Sequence, residues 1–287
     1  MKIGIIGAGR VGCSMAKYIA TGTQHHIITG FYDCNQQFTQ EASNFCNTKA
    51  FNSLTDLIMS SDTLFITVSD SEIATVWECI DKALIKNKII CHFSGSLSSD
   101  VFTGATDYGA YCGSIHPVYA FSDKFNSYKS LGGAMFTAQG DSLFIQQISN
   151  LLTQLGNKVC VIDKENKTLY HTALSMASNQ LVGLLGTVVN MLQNCGFSEK
   201  QAYSALAPLM LDNLQTALQN NVEYALTGPI ERGDVSTVKA HLSAVNSNQK
   251  EIYKALGKQV LKIAKDKNSN SKHLTEKYEN IERTLLE

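Results

Sequence analysis

Twelve residues at the start of the chain, Met1-Lys2-Ile3-Gly4-Ile5-Ile6-Gly7-Ala8-Gly9-Arg10-Val11-Gly12, constrain the fold more than any other stretch. Ile3, Ile5 and Ile6 make a short apolar strand that runs into Gly7-x-Gly9-x-x-Gly12, and Val11, Met15, Ala16 and Ile19 then share one helical face. Strand, glycine turn and helix in that order suit a dinucleotide pyrophosphate. Gly7 permits the tight turn, Gly9 lets the backbone approach the phosphates, and Gly12 lets the helix lie close on the strand. The helix N-terminus meets the anion with free N–H groups and the positive end of its dipole. Gly7, Ala8, Gly9, Arg10, Val11 and Gly12 are therefore cofactor-binding candidates. Glycine-rich turns are common, so the weight rests on context: this one opens the chain, follows a strand and starts a helix.

The second part of that context is an acid. His26 to Tyr32 reads as the next strand, and Asp33 ends it, 21 residues beyond Gly12. A carboxylate there accepts hydrogen bonds from the adenosine ribose hydroxyls and repels a 2′-phosphate. No Arg follows in Cys34-Asn35-Gln36-Gln37 to neutralise such a phosphate, so the pattern favours NAD over NADP. The plainer alternative is that Asp33 caps the following helix.

Composition excludes several classes. Lys and Arg number 24 against 25 Asp and Glu, without a cluster that would make a nucleic-acid footprint. The eight cysteines are scattered with no CxxC pair, which argues against zinc or a disulfide framework and for thiols in a reducing cytosol. The N-terminal apolar run contains glycines and no cleavage region, so no signal peptide is expected. Ala173 to Leu192 is the most apolar long stretch, but Ser175, Ser178, Asn179, Gln180 and Asn190 interrupt it. A buried or interface helix fits it better than a membrane span.

Along the chain, apolar strands alternate with helical patterns as far as Asp163. Strands are predicted at Ala50-Phe51, Asp62 to Val68, Lys88 to Phe93, Tyr111 to Ile115, Ala134 to Ala138 and Lys158 to Asp163, with helices between most of them. Alternation of this kind predicts a doubly wound α/β sheet, which binds ligands at the carboxyl ends of its strands. Ser69 and Ser94 sit at such ends and become cofactor candidates. From Lys164 onward only helical periodicity remains. Lys167 to Cys195 is predicted as one long helix, Ser198-x-x-Gln201 as a capping box, and Pro208 as a kink. Lys265 to Lys272 reads as a solvated turn or linker, and Leu274 to Leu286 as a charged amphipathic helix packed on the surface. Residues 1–163 are thus expected to bind the dinucleotide, and residues 164–287 to form an all-α domain for substrate and dimer contacts.

Three further clusters join the opening fingerprint: His92-Phe93-Ser94-Gly95-Ser96, Ser114 to Phe121, and Leu226-Thr227-Gly228-Pro229-Ile230-Glu231-Arg232-Gly233-Asp234. Together they resemble Rossmann-like oxidoreductases with a C-terminal helical domain of unknown function. These are relatives of pyrroline-5-carboxylate reductase, prephenate dehydrogenase and the 6-phosphogluconate dehydrogenase group. The resemblance runs to about Lys265. It implies a nicotinamide cofactor, hydride transfer to the C=O or C=N of a small acid, and a homodimer through the helices. The chain departs from the Lys-x-x-x-Asn pair of the 3-hydroxyacid dehydrogenases, since the comparable helix reads His171 to Ser175 and only then Asn179.

Hydride transfer needs a proton donor beside the developing anion. His116, just past a strand end and fixed by Pro117, is the first candidate, with a backbone-binding histidine as the alternative. His171, Ser175 and Asn179 recur at i, i+4 and i+8 on an apolar helix, as a polar stripe that either pairs internally or lines a cleft. His171 and Asn179 join the catalytic candidates, Ser175 and Ser94 the substrate-binding ones. Arg232 would hold a substrate carboxylate through its fork of donors. His92 reads as a satisfied core residue. A non-catalytic dinucleotide sensor or scaffold is the competing function, because fold alone does not give chemistry.

Overall fold

A computed structural model describes all 287 residues, which divide into two compact units, Met1–Ser178 and Asn179–Glu287. The first unit runs β1 (Lys2–Ile6), α1 (Arg10–Gly22), β2 (Ile27–Tyr32), α2 (Gln36–Cys46), β3 (Lys49–Ala50), α3 (Leu54–Ser60), β4 (Thr63–Ile66) and α4 (Asp70–Cys79). It continues through β5 (Ile89–His92), β6 (Tyr111–Pro117), β7 (Met135–Gly140), α5 (Ser142–Gln154), β8 (Lys158–Val161) and α6 (Lys167–Ser175). The strands form one sheet in the order β3-β2-β1-β4-β5-β6-β7-β8. Neighbours are parallel except β6 and β7, which pair antiparallel with Ser114 opposite Gln139 and His116 opposite Thr137. Strand order reverses direction between β1 and β4, and the glycine turn sits at that switch point, as the doubly wound reading expects.

Side-chain alternation builds a core on each face of the sheet. Ile3, Ile5, Phe65 and Cys91 belong to one cluster with Met15, Ile19, Phe136 and Phe144. Ile6, Leu64, Ile66 and Ile90 belong to the other, with Leu57, Trp77 and Phe102. All eight cysteines are free thiols.

The second unit is helical: α7 (Leu181–Asn194), α8 (Glu199–Gln219), α9 (Val222–Ala225), α10 (Val235–Ala244), α11 (Ser247–Lys267) and α12 (Lys272–Leu286). Ser198 and Gln201 form the expected capping box, and Pro208 lies inside α8. One expectation changes here. Helix α6 does not continue regularly into α7, because Met176–Gln180 forms a π turn. The apolar stretch in Lys164–Asn194 is largely exposed within the chain, which leaves the interface alternative rather than the buried one, and by length and composition it is apolar enough to cross a membrane. Of turn or linker, the chain takes a turn between Lys267 and Lys272, where Asn268 donates to the Tyr278 hydroxyl at 2.9 Å. Helix α12 packs through one face, as an amphipathic helix does. Tyr278, Ile281 and Leu285 share a core with Ile230, Val238 and Leu261.

Composition placed the domain boundary after Asp163, where strands cease. Contacts place α6 with the sheet.

Candidate active site

The glycine turn comes first. Gly7 has φ +103°, a conformation that side chains with a Cβ rarely adopt. At Gly12 a Cβ would stand 2.3 Å from the Gly7 carbonyl oxygen and 2.6 Å from Thr67 Oγ1, so α1 lies directly on the strand ends. At Gly9 a Cβ would meet nothing within 4 Å. Gly9 is also the N-cap of α1 and supplies no side chain to the first-turn N–H groups. An open face beside an uncapped 13-residue helix fits a phosphate group. Arg10 is exposed and Val11 half-buried at the same turn, while Ala8 is buried.

Asp33 is tied into this turn. Its Oδ2 accepts from the Ala8 N–H at 2.8 Å and its Oδ1 from the Asn35 N–H at 2.9 Å. The cap of α2 is Asn35, which accepts from Gln37 and Phe38, so Asp33 does not serve that structural purpose. Ser69, exposed at the N-cap of α4, shares a hydrogen bond with Ser71 at 3.2 Å.

A polar cluster gathers past β5 and β6. Ser94 donates to Asp70 Oδ2 at 2.6 Å, while its hydroxyl accepts from the Ser96 and Leu97 N–H groups. Its own N–H donates to His92 Nδ1, and its carbonyl accepts from Lys167 Nζ at 3.0 Å. Every polar atom of Ser94 is thus engaged within the protein, and the residue shapes the turn. Lys167 also donates to Ser114 Oγ at 2.6 Å and is only 2% exposed. Burial lowers its pKa to about 8, against the opposing pull of Asp70. His116 Nδ1 lies 2.9 Å from the Tyr170 hydroxyl, and its ring stands edge-on to His171 with centroids 5.8 Å apart. Burial, then the neighbouring His171 and Lys167, push the His116 pKa down to about 4. A charged imidazolium is therefore not its resting form at neutral pH.

His92 is the satisfied core residue expected, bonded through Nε2 to the Ser98 carbonyl and fully buried. Sequence reading missed Lys167, Tyr170 and Asp70. A signal was present: Lys167, Tyr170 and His171 stand at i, i+3 and i+4. Ser175 is half-buried at the end of α6. The stripe from His171 through Ser175 to Asn179 loses its α-helical phase at the π turn, so its predicted regularity fails. Asn179 opens the second unit, and Arg232 lies in that unit before α10. Asp234 beside it caps α10, accepting from Thr237 and Ser236.

Residues 1–117 match a Rossmann-like domain, and residues 134–260 match a domain of unknown function, DUF2520. The chain is a Rossmann-like protein with a DUF2520 domain. His116 falls at the end of the first match, whereas Lys167, Tyr170 and His171 fall in the DUF2520 match, so the polar cluster draws on both. No curated protein matches the chain in sequence. Among solved structures, a Thermotoga maritima protein is 20% identical, with a TM-score of 0.72 over 93% of this chain and 99% of its own. A Plasmodium falciparum pyrroline carboxylate reductase with NADP bound is 13% identical, with a TM-score of 0.60 over 94% of this chain and 97% of its own. An Aspergillus terreus imine reductase in complex with NADPH4 is 14% identical, with a TM-score of 0.64 over 91% and 93%. These similarities establish the shared fold.

Proposed function

We propose that the protein is an NAD(P)-dependent oxidoreductase that transfers a hydride between a nicotinamide cofactor and the C=O or C=N of a small carboxylate-bearing substrate. The open face at Gly9, on an uncapped helix at the sheet's switch point, carries this reading. Solved proteins of the same fold include an NADP-bound reductase and an imine reductase, which supports the class.

Gly7 to Gly12 would hold the pyrophosphate, with Ser69 at the neighbouring strand end. Asp33 would face the adenosine ribose. Its Oδ2 takes only the Ala8 N–H and has a lone pair left for a ribose hydroxyl, while its Oδ1 takes the Asn35 N–H and the Cys34 thiol, so NAD is favoured. A bound nicotinamide supplies the hydride donor or acceptor. His116 contributes as a neutral N–H donor that stabilises negative charge developing on the substrate oxygen or nitrogen, with His171 beside it. Ser175, Asn179 and Arg232 remain assigned by side-chain chemistry to catalysis and substrate binding, Arg232 to a carboxylate.

Titrating the protein with NADH and NADPH by fluorescence, then screening keto- and imino-acids by absorbance, tests the proposal. Tight uptake without turnover across a broad panel would favour the sensor. In the same titration, Asp33→Ala is expected to weaken NADH more than NADPH. Equal weakening would remove the preference for NAD.

The helical unit is proposed to form a homodimer. Val182, Leu211, Leu214 and Val222 are exposed along an apolar groove of about 630 Å³ between α7, α8 and α9. Contiguous apolar surface of this kind marks an interface. Leu211→Glu with Leu214→Glu should therefore halve the mass measured by light scattering. A wild-type mass equal to one chain would defeat the dimer. Eight unpaired thiols favour a reducing, cytosolic setting.

A further inference from the structure

Helix α6 presents Lys167, Tyr170 and His171 on one face, because positions i, i+3 and i+4 lie together. That face meets the ends of β5 and β6. Lys167 is pinned to Ser94 and Ser114, and Tyr170 and His171 both reach His116. A neutral imidazole carries one donor and one acceptor nitrogen, and its neighbours decide which is which. At His116 the hydrogen bond runs through Nδ1, and the partner is a half-buried phenol.

His116 Nδ1 lies within hydrogen-bond reach of the phenol, and the neighbouring Thr137 hydroxyl pulls the phenol's pKa down, as a donor to its oxygen does. That leaves the imidazole nitrogen to accept the phenol proton. The Thr137 hydroxyl also lies 3.5 Å from the His116 carbonyl oxygen. We propose that Tyr170 is a positioning residue for His116: its hydroxyl donates to Nδ1 and so holds the ring as the tautomer with its proton on Nε2. Nε2 is the nitrogen on the Gly95 side, where a Cβ added to Gly95 would lie 2.9 Å from it and 2.4 Å from His171 Cδ2. Glycine there keeps both ring edges clear.

The groups facing the imidazole fit this assignment. Lys167 and His171 disfavour a positive ring, burial does so more strongly, and Asp70 alone opposes them. A neutral ring with a fixed Nε2–H is a ready hydrogen-bond donor, which is the part the oxidoreductase reading gives it. The catalytic meaning of the lock rests on that reading; the lock itself does not.

The test uses the full-length protein labelled with 15N-histidine, at pH 7.5, with long-range ring correlations to report each tautomer. His116→Gln identifies the His116 signals. The wild type is expected to show His116 protonated on Nε2. His92 provides an internal control for folding, since Ser94 donates to its Nδ1 and its Nε2 faces the Ser98 carbonyl. In Tyr170→Phe the His116 signals should move to a mixture of tautomers while those of His92 stay in place. A wild-type ring protonated on Nδ1, or an unchanged tautomer in Tyr170→Phe, would overturn the proposal. If the acid panel yields a substrate, Tyr170→Phe should lower kcat about tenfold, the weight of one hydrogen bond, and leave the KM for nucleotide unaltered. An unchanged kcat would also overturn the positioning role. Without any turnover, the oxidoreductase reading fails and the ring correlations still decide the tautomer.

Discussion

Gly12→Ala is expected to destabilise the first unit by about 3 kcal/mol, at the upper end of the usual range for overpacking. Gly9→Ser should leave stability nearly unchanged. Both positions belong to one glycine pattern, yet they answer to different physics. The Cβ that Gly12→Ala adds would meet the Gly7 carbonyl at 2.3 Å, a backbone atom that cannot rotate away, so α1 would have to lift from β1. The Cβ that Gly9→Ser adds meets nothing within 4 Å, and serine is a favoured N-cap. The new hydroxyl would bond the first-turn N–H groups and stand where a phosphate would lie. NADH affinity should therefore fall at least about tenfold, because a capping bond worth about 1 kcal/mol must be broken and the phosphate displaced. Thermal melts and a nucleotide titration on the two variants separate the effects. A Gly9→Ser protein that melts normally and binds NADH as the wild type does would place the nucleotide elsewhere or nowhere.

Much of the fold was legible because burial leaves periodic traces. Ile3, Ile5 and Ile6, then Leu64 to Ile66 and Ile89 to Cys91, are apolar on both faces, which only a covered parallel strand requires. The rest was hidden for definable reasons. Lys167 follows Lys164, Glu165 and Asn166 and looks like the solvated head of a helix, yet it is buried against Ser94 and Ser114. Nothing in Met176 to Gln180 announces a π turn, since that segment has neither glycine nor proline. The amphipathic pattern of α12 was legible, but not that Tyr278, Ile281 and Leu285 pack against Ile230, Val238 and Leu261. At the site, the polar residue types could be read from the sequence, but their pairing could not. Distances alone show that Tyr170 belongs to His116 and that Asp33 belongs to the Ala8 turn.

Acid should weaken the first unit, and His92 and His116 should be the main causes. The His92 ring is fully buried, accepts from the Ser94 N–H and faces the Ser98 carbonyl, and burial pushes its pKa down to about 4. In the unfolded chain the ring returns to about 6.5. Between those values the unfolded state binds a proton that the folded state refuses. The stability this group contributes is complete above about pH 6.5, falls as the pH drops toward 4, and is flat below that. The full loss amounts to roughly 3 kcal/mol. His116 acts in the same direction. Lys167 works at the other end of the scale: its folded pKa of about 8 lies below the usual lysine value, so stability should rise from about pH 8 upward as the folded ammonium gives up its proton first. Urea unfolding across pH 4.5 to 9.5 measures both limbs. His92→Asn should lose stability at pH 7.5 and flatten the acid limb, because asparagine offers a donor and an acceptor without titrating. An acid limb of unchanged slope in that variant would show that the folded ring takes up its proton as readily as the unfolded one.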